Sequence, residues 1–192
     1  MFRAAANHGI KRREDRAGDS MATIASMTTH DARAAFGALL QQHAGIVFKI
    51  AGSYARGSED RADLAQEIAA QLWHAWPKYD PARSVTTWMY RIALNVAIGH
   101  LRQQELRRRH DAVPLDDALH DVADGNAHDP EQAQQLRLLQ GFIARQPPLD
   151  RALLLLYLDD RPQRDIAEIL GITESNVSTK IGRLKQRLRD SF

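Results

Sequence analysis

The stretch from Arg164 to Leu188, RDIAEILGITESNVSTKIGRLKQRL, decides how this chain folds. Ile166, Ile169 and Leu170 are spaced three and one apart, which lays them on one face of a helix. Gly171 follows as a C-terminal cap, because glycine enters the left-handed backbone region at little cost. Ile172 plugs the corner, and Thr173 offers a side-chain oxygen to the free N–H groups of a second helix beginning at Glu174. In that helix Val177, Ile181, Leu184 and Leu188 make a buried stripe. Ser175, Asn176, Ser178, Thr179, Lys180, Arg183 and Arg187 occupy the other face. Small Ala167 admits a close crossing, so the stretch reads as a helix-turn-helix. Hydroxyl, amide and cationic side chains on the free face suit the major groove of DNA. A helical hairpin with a solvated basic face accounts for the charges alone. It leaves the alanine, the glycine and the Ile172 plug as coincidences.

The rest of the composition narrows the class. A chain of 192 residues allows one or two domains, each with a modest core. There is no cysteine, which excludes disulfides and thiolate metal sites and fits a reducing compartment. No run approaches the roughly 18 apolar residues that span a bilayer. The basic N-terminus has no apolar segment behind it, so no secretory signal is read, and a soluble cytoplasmic protein is expected. The net charge of +2 hides a split. Residues 111–131 carry seven acids and neither Lys nor Arg, which leaves +9 on the remainder. Two basic bodies on an acidic tether point to a polyanion partner held in check.

Taken in order, residues 1–28 lack periodicity and are expected to be a disordered tail, with Met21 and Met27 as alternative starts. A first helix is expected over 31–55, from Phe36, Leu39, Leu40, His43, Val47, Ile50 and Tyr54, with His43 a core or boundary residue and Gly57 ending it. Ser58 is the expected cap of a second helix, with Leu64, Ile68, Leu72 and Trp76 inside and Pro77 as its stop. Asp63, Gln66, Glu67, Ala70 and His74 share the other side. Simple solvation explains such a patch; as a binding surface, its acids fit a protein better than DNA. Residues 77–84 form a proline-bounded loop before a third helix over 85–109. Val85, Met89, Ile92, Ala93 and Val96 make its expected core face, and Trp88, Arg91, Asn95 and Arg102 an adjacent stripe. An aromatic, an amide and arginines beside a loop can hold unstacked single-stranded bases, although for a lone Trp88 a place in the core is the readier reading. After the tether of 110–131, Leu136, Leu139, Phe142 and Ile143 mark another helix, and Leu149 to Leu158 a very apolar strut.

No strand pattern or internal repeat occurs, so the fold class is all-α: two small helical domains, 29–109 and 132–192, joined by a flexible acidic linker. The sequence holds no phosphate-binding glycine loop, no histidine pair at metal spacing and no nucleophile motif. His100 and His110 stand ten apart among arginines and offer no ligand geometry.

In this order the pieces resemble an extracytoplasmic-function (ECF) sigma factor of bacterial RNA polymerase. Asp63-Leu64-Ala65-Gln66-Glu67, Leu72-Trp73 and the run from Thr87 to Ile98 are similar to sigma region 2 over Phe36–Arg109. The helix-turn-helix within Leu136–Leu188 is similar to region 4. The resemblance implies that Asp63, Gln66 and Glu67 dock on the clamp coiled-coil of the polymerase's largest subunit. It implies that the loop with Lys78, Tyr79 and Arg83 captures a flipped base of the minus-ten element, and that Trp88, Arg91, Asn95 and Arg102 lie along that element. It assigns Ser175, Asn176, Ser178, Thr179, Lys180, Arg183 and Arg187 to the minus-thirty-five element. Such a factor catalyses nothing itself, needs no cofactor or metal, and has core polymerase, promoter DNA and a candidate anti-sigma factor as partners. Gly99 departs from the family, where an acidic residue is common, as do Ala69-Ala70, where an aromatic is common. The latter implies a looser core or a distinct subgroup. The competing reading is a helix-turn-helix repressor or activator with an N-terminal dimerisation or sensing domain, in which the Gln66-Glu67 patch has no task. A helical enzyme ranks third.

Overall fold

Apolar spacings of three and four dictate helices, and helices are what form. The computed structural model describes residues 29–110 and 130–191. In order these are α1 (Thr29–Gln42), α2 (Ala44–Tyr54), α3 (Ser58–Ala75), a 3-10 turn (Trp76–Lys78) and α4 (Val85–His110). Then come α5 (Pro130–Ala144), α6 (Pro148–Leu158), α7 (Gln163–Leu170) and α8 (Glu174–Arg189). No strand occurs among the described residues. The disordered tail expected over 1–28 lies outside them, as does the linker apart from the helix ends at His110 and Pro130.

Several local expectations are corrected. The single helix expected over 31–55 is two, broken at His43, whose backbone (φ −113°, ψ 17°) leaves the helical region. On α1, before this break, Phe36 meets Trp73 and Trp76 at ring separations of 5.1 and 5.8 Å. Ser58 does not cap α3 with its side chain. Gly57 takes the cap position at φ 76°, and Asp60 accepts the Arg56 N–H at 2.8 Å. Pro77 does not stop α3 abruptly; it sits in the 3-10 turn, whose early positions need no N–H donor.

The core face of α4 is also turned from the expected one. Met89, Tyr90, Ala93, Leu94 and Ala97 are buried, while Val85, Ile92 and Val96 are half-buried. The cause is that α4 packs on two sides: against α2 and α3, and against α6 and α7. A stripe for one neighbour becomes a wider arc for two.

In the C-terminal half, α6 is the central strut, with Ala152 to Leu156 all buried. Phe142 and Ile143 of α5, Ile166, Ala167 and Ile169 of α7, and Val177, Ile181 and Leu184 of α8 are buried in the same half. Gly171 adopts the left-handed conformation (φ 66°, ψ 34°), and Thr173 accepts the Asn176 N–H at 3.2 Å. Both ends of the helix-turn-helix corner are thus capped as the residue types require.

Candidate nucleic-acid interface

The residues singled out in the sequence fall on three surfaces. On α3, Asp63, Gln66, Glu67, Ala70 and His74 are all exposed, on the side opposite buried Leu64, Ile68 and Leu72. Beside them runs an apolar groove of about 470 Å³, lined by Leu40, Val47, Phe48, Ala65, Gln66 and Ala69 among others. Phe48 is 68% exposed at its edge. The small side chain at Ala69 lines this groove. The sequence pattern missed Phe48 because it lies off the buried stripe. A large apolar side chain at that position was the available signal.

The second surface is the loop ahead of α4. Tyr79 stacks on Trp76 (5.4 Å, 12°) and tilts against Trp88 (4.9 Å, 48°), so Trp88 is neither free nor simply core. It is half-buried in an aromatic cluster that opens onto the loop. The Tyr79 hydroxyl donates to the Arg83 carbonyl at 2.9 Å, and Asp80 accepts the Ala82 N–H at 2.9 Å, which folds the loop on itself. Burial, then the Asp80 charge, raises the Tyr79 pKa. Lys78 and Arg83 are exposed, and Arg91, Asn95 and Arg102 are exposed along α4. Gly99 on the same helix has open space where a side chain would project, so the family's usual acid would fit there unopposed.

On the third surface, α8 exposes Ser175, Asn176, Ser178, Thr179, Arg183, Gln186 and Arg187, with Lys180 half-buried on its flank. Gln186 was not anticipated, although its place on the free face was readable from the helical period. Lys180 Nζ stands 3.4 Å from Asp150 Oδ1, and Arg187 donates to Asp150 Oδ2 at 3.0 Å.

The structure further joins the two halves, which sequence reasoning did not resolve into residues. Asp159, just after α6, receives hydrogen bonds from Lys49 and from the Tyr90 hydroxyl, with Arg161 Nε at 3.8 Å. Burial works against its charge, but these donors and cations outweigh it and hold the carboxyl below its ordinary range. Burial and the same hydrogen bond push the Tyr90 phenol well up. Arg161 lies over the Tyr90 ring at 5.0 Å and donates to Thr86 Oγ1 at 2.9 Å. Glu168 of α7 reaches Arg83 of the aromatic loop at 3.7 Å. Nearby, Tyr54 donates to the Pro148 carbonyl at 2.8 Å, and buried Arg151 donates to the Ser53 carbonyl at 3.0 Å and to that of Ala144. An arginine at the head of the apolar run was the sequence signal for this last contact.

Among the described residues no helix is long and apolar enough to cross a membrane, and no three His, Cys, Asp or Glu are placed to hold a metal.

Comparison with known proteins covers both halves. The family model for sigma-70 region 2 matches residues 39–122, and that for sigma-70 region 4 matches residues 136–188. The ECF RNA polymerase sigma factor RpoE of Cereibacter sphaeroides is 31% identical over 177 residues, covering 89% of this chain and 93% of its own. The RNA polymerase sigma factor CnrH of Cupriavidus metallidurans is 28% identical over 179 residues, covering 88% and 93%. The solved structure of CnrH in complex with the cytosolic domain of CnrY overlays with a TM-score of 0.61 at 21% identity, covering 88% of this chain and 92% of that one. The sigma factor RpoE in complex with the anti-sigma factor NepR from Bartonella quintana gives 0.66 at 17%, covering 81% and 95%. These two likenesses speak for the fold.

Proposed function

Because this chain belongs to the ECF sigma factors of RNA polymerase, a family that directs transcription initiation, we propose that its three surfaces divide the work of promoter recognition. Asp63, Gln66 and Glu67, with the apolar groove beside them, dock on the clamp of the polymerase's largest subunit. An apolar centre with a polar rim is the composition of a protein interface, not of a phosphate-binding face. Trp88 and Tyr79, with Lys78 and Arg83 around them, hold a base unstacked from the minus-ten element. Such stacking is worth about 1–3 kcal/mol per base, which stabilises the melted strand without any chemical step. Arg91, Asn95 and Arg102 follow the same strand along α4. Helix α8 enters the major groove of the minus-thirty-five element, with Ser175, Ser178 and Thr179 near base edges and Arg183 and Arg187 near phosphates; Lys180, half-buried on the same flank as Arg187, faces the phosphates with it.

The observation that carries this division is the exposed acid-and-amide patch of Asp63, Gln66 and Glu67 on α3, with an open apolar groove next to it that Gln66 lines, in a chain whose other candidate surfaces are cationic. In a repressor the Gln66-Glu67 patch has no task.

The contact between the halves adds regulation. Glu168 engages Arg83, and Arg161 engages Thr86, so the C-terminal unit sits against the loop that must take the flipped base. This closed form is the resting state, and docking on core polymerase opens it. An anti-sigma factor, the kind of partner with which RpoE of Bartonella quintana was solved, holds the resting state in the cell.

The test is in vitro transcription of fragmented genomic DNA by core polymerase with and without this protein. New start sites that share two spaced upstream elements are the expected result. Unchanged starts, with tight operator binding by the free protein as a two-fold dimer, would refute the reading in favour of a repressor.

A further inference from the structure

The flank of α8 is already neutralised from within the protein. Asp150 lies in the first turn of α6, where the helix dipole favours an acid, and that alone would explain an aspartate there. Its side chain does more than sit at the helix end. It is 17% exposed and reaches across to α8, where one carboxylate oxygen faces Lys180 at 3.4 Å and the other accepts from Arg187 at 3.0 Å. Lys180 and Arg187 are seven residues apart, two turns along α8, and so share one flank. Arg183 and Gln186 complete the wall of a groove of about 470 Å³ around that carboxylate. Among the described residues Arg183 has no ion pair. Four of the five residues lining the groove thus come from the helix that reads DNA, and the fifth is an acid.

Lysine and arginine at such a position meet DNA phosphates, and each phosphate contact strengthens binding to any sequence alike. We infer that Asp150 is a specificity-determining residue: its carboxylate occupies the place of a DNA phosphate between Lys180 and Arg187 and competes with the backbone for both cations. Duplex that offers only phosphates must break an existing ion pair to gain a new one, so it gains little. Duplex with the correct bases adds contacts to Ser175, Ser178 and Thr179 that Asp150 does not oppose. The acid therefore lowers affinity for wrong sequences more than for the right one. This inference rests on the reading of α8 as the major-groove helix.

The experiment uses holoenzyme assembled from full-length protein and core polymerase, with two duplexes. One carries the upstream element found by the transcription assay, and the other has that element scrambled. Binding is measured between about 50 and 200 mM salt. Asp150→Asn should bind the scrambled duplex about fivefold more tightly than wild type, the scale of one partly exposed ion pair. Its salt slope should steepen by about one, and the ratio of specific to scrambled affinity should fall. Asp150→Glu, which keeps the carboxylate, should stay near wild type. In a Lys180→Gln, Arg187→Gln background the Asn substitution should have no further effect. Asp150→Ser repeats the test should the Asn variant melt early. Weaker binding to both duplexes with an unchanged slope would overturn the inference and leave Asp150 a brace for α8. A gain that persists in the doubly substituted background would overturn it too, by showing a general charge effect. If wild-type holoenzyme fails to distinguish the duplexes, the reading of α8 falls first and the inference with it.

Discussion

Asp159→Ala should open the resting form. The side chain of Asp159 is 23% exposed and serves Lys49, Tyr90 and Arg161 together. Without it the Tyr90 hydroxyl, on a ring that is 1% exposed, loses its acceptor, which costs about 1–3 kcal/mol. The pair with Lys49, whose side chain is 43% exposed, adds up to about 1 kcal/mol. Arg161 keeps the Tyr90 ring and Thr86, so its share is small. The closed form should thus lose about 1–4 kcal/mol, a shift of roughly 5- to 700-fold in the closing equilibrium at 1.4 kcal/mol per tenfold. The chain has no cysteine, so Gln71→Cys on α3 and Arg189→Cys on α8 give a unique pair of dye sites at exposed positions. Energy transfer in the free protein should fall in Asp159→Ala. It should fall less in Asp159→Asn, which still offers Tyr90 an oxygen. The free Ala variant should also bind promoter duplex more tightly than wild type. Unchanged transfer and unchanged DNA affinity in the Ala variant would refute the latch.

Three further outcomes are expected. Glu67→Lys should weaken binding to core polymerase by several kcal/mol if the clamp surface is basic, with an unchanged circular dichroism spectrum because Glu67 is exposed; wild-type affinity in a titration against core would remove it from the interface. Gly171→Ala should destabilise the C-terminal half by about 1–2 kcal/mol, read as a lowered denaturation midpoint, since an L side chain is strained at φ 66°; a neutral result would mean that the corner relaxes. Energy transfer in the wild-type pair should be flat through neutral pH and drop only in acid. The Asp159 pKa is lowered by folding, so its stabilisation is complete above the ordinary carboxylate range and disappears as pH falls through the folded value; a transition near neutrality would show that another group controls closure.

The fold was largely legible because helix periodicity is a local signal. The corner at Gly171 and Thr173, the apolar strut of α6 and the exposed patch on α3 could each be read from a window of a few residues. What was not legible depended on partners distant in the chain. The core face of α4 was misread because a helix with two neighbours buries a wider arc than one stripe, and Tyr90 and Leu94 belong to that arc. The chain breaks at His43 where periodicity alone would have continued the helix, and the contacts that α1 makes through Phe36, with Trp73 and Trp76, lie far on in the sequence. The pairing of Asp159 with Lys49 spans 110 residues, and no local pattern marks it. A lone Trp88 read more readily as core than as a base contact, and its half-buried cluster with Tyr79 and Trp76 allows both roles at once.

Charge alone made the basic bodies of this chain look ready for DNA. The structure shows several of their cations already engaged by carboxylates of the C-terminal half: Arg83 by Glu168 (and by Asp80 of its own loop), Lys49 by Asp159, and Lys180 and Arg187 by Asp150. A free sigma factor that bound phosphates strongly would be dispersed over the vast excess of non-promoter DNA. Each of these pairs is weak, because the side chains are partly exposed, and weak pairs are what such a device requires. A strong internal pair would also resist the promoter, whereas a pair worth under about 1 kcal/mol yields once correct base contacts of about 1–3 kcal/mol each are added. Two of the pairs also tie the halves together, so the proposed opening on the polymerase would release Arg83 from Glu168 as the melted strand arrives. In this reading the acids of the C-terminal half, which carry no sequence information, decide when the basic residues are available to read it.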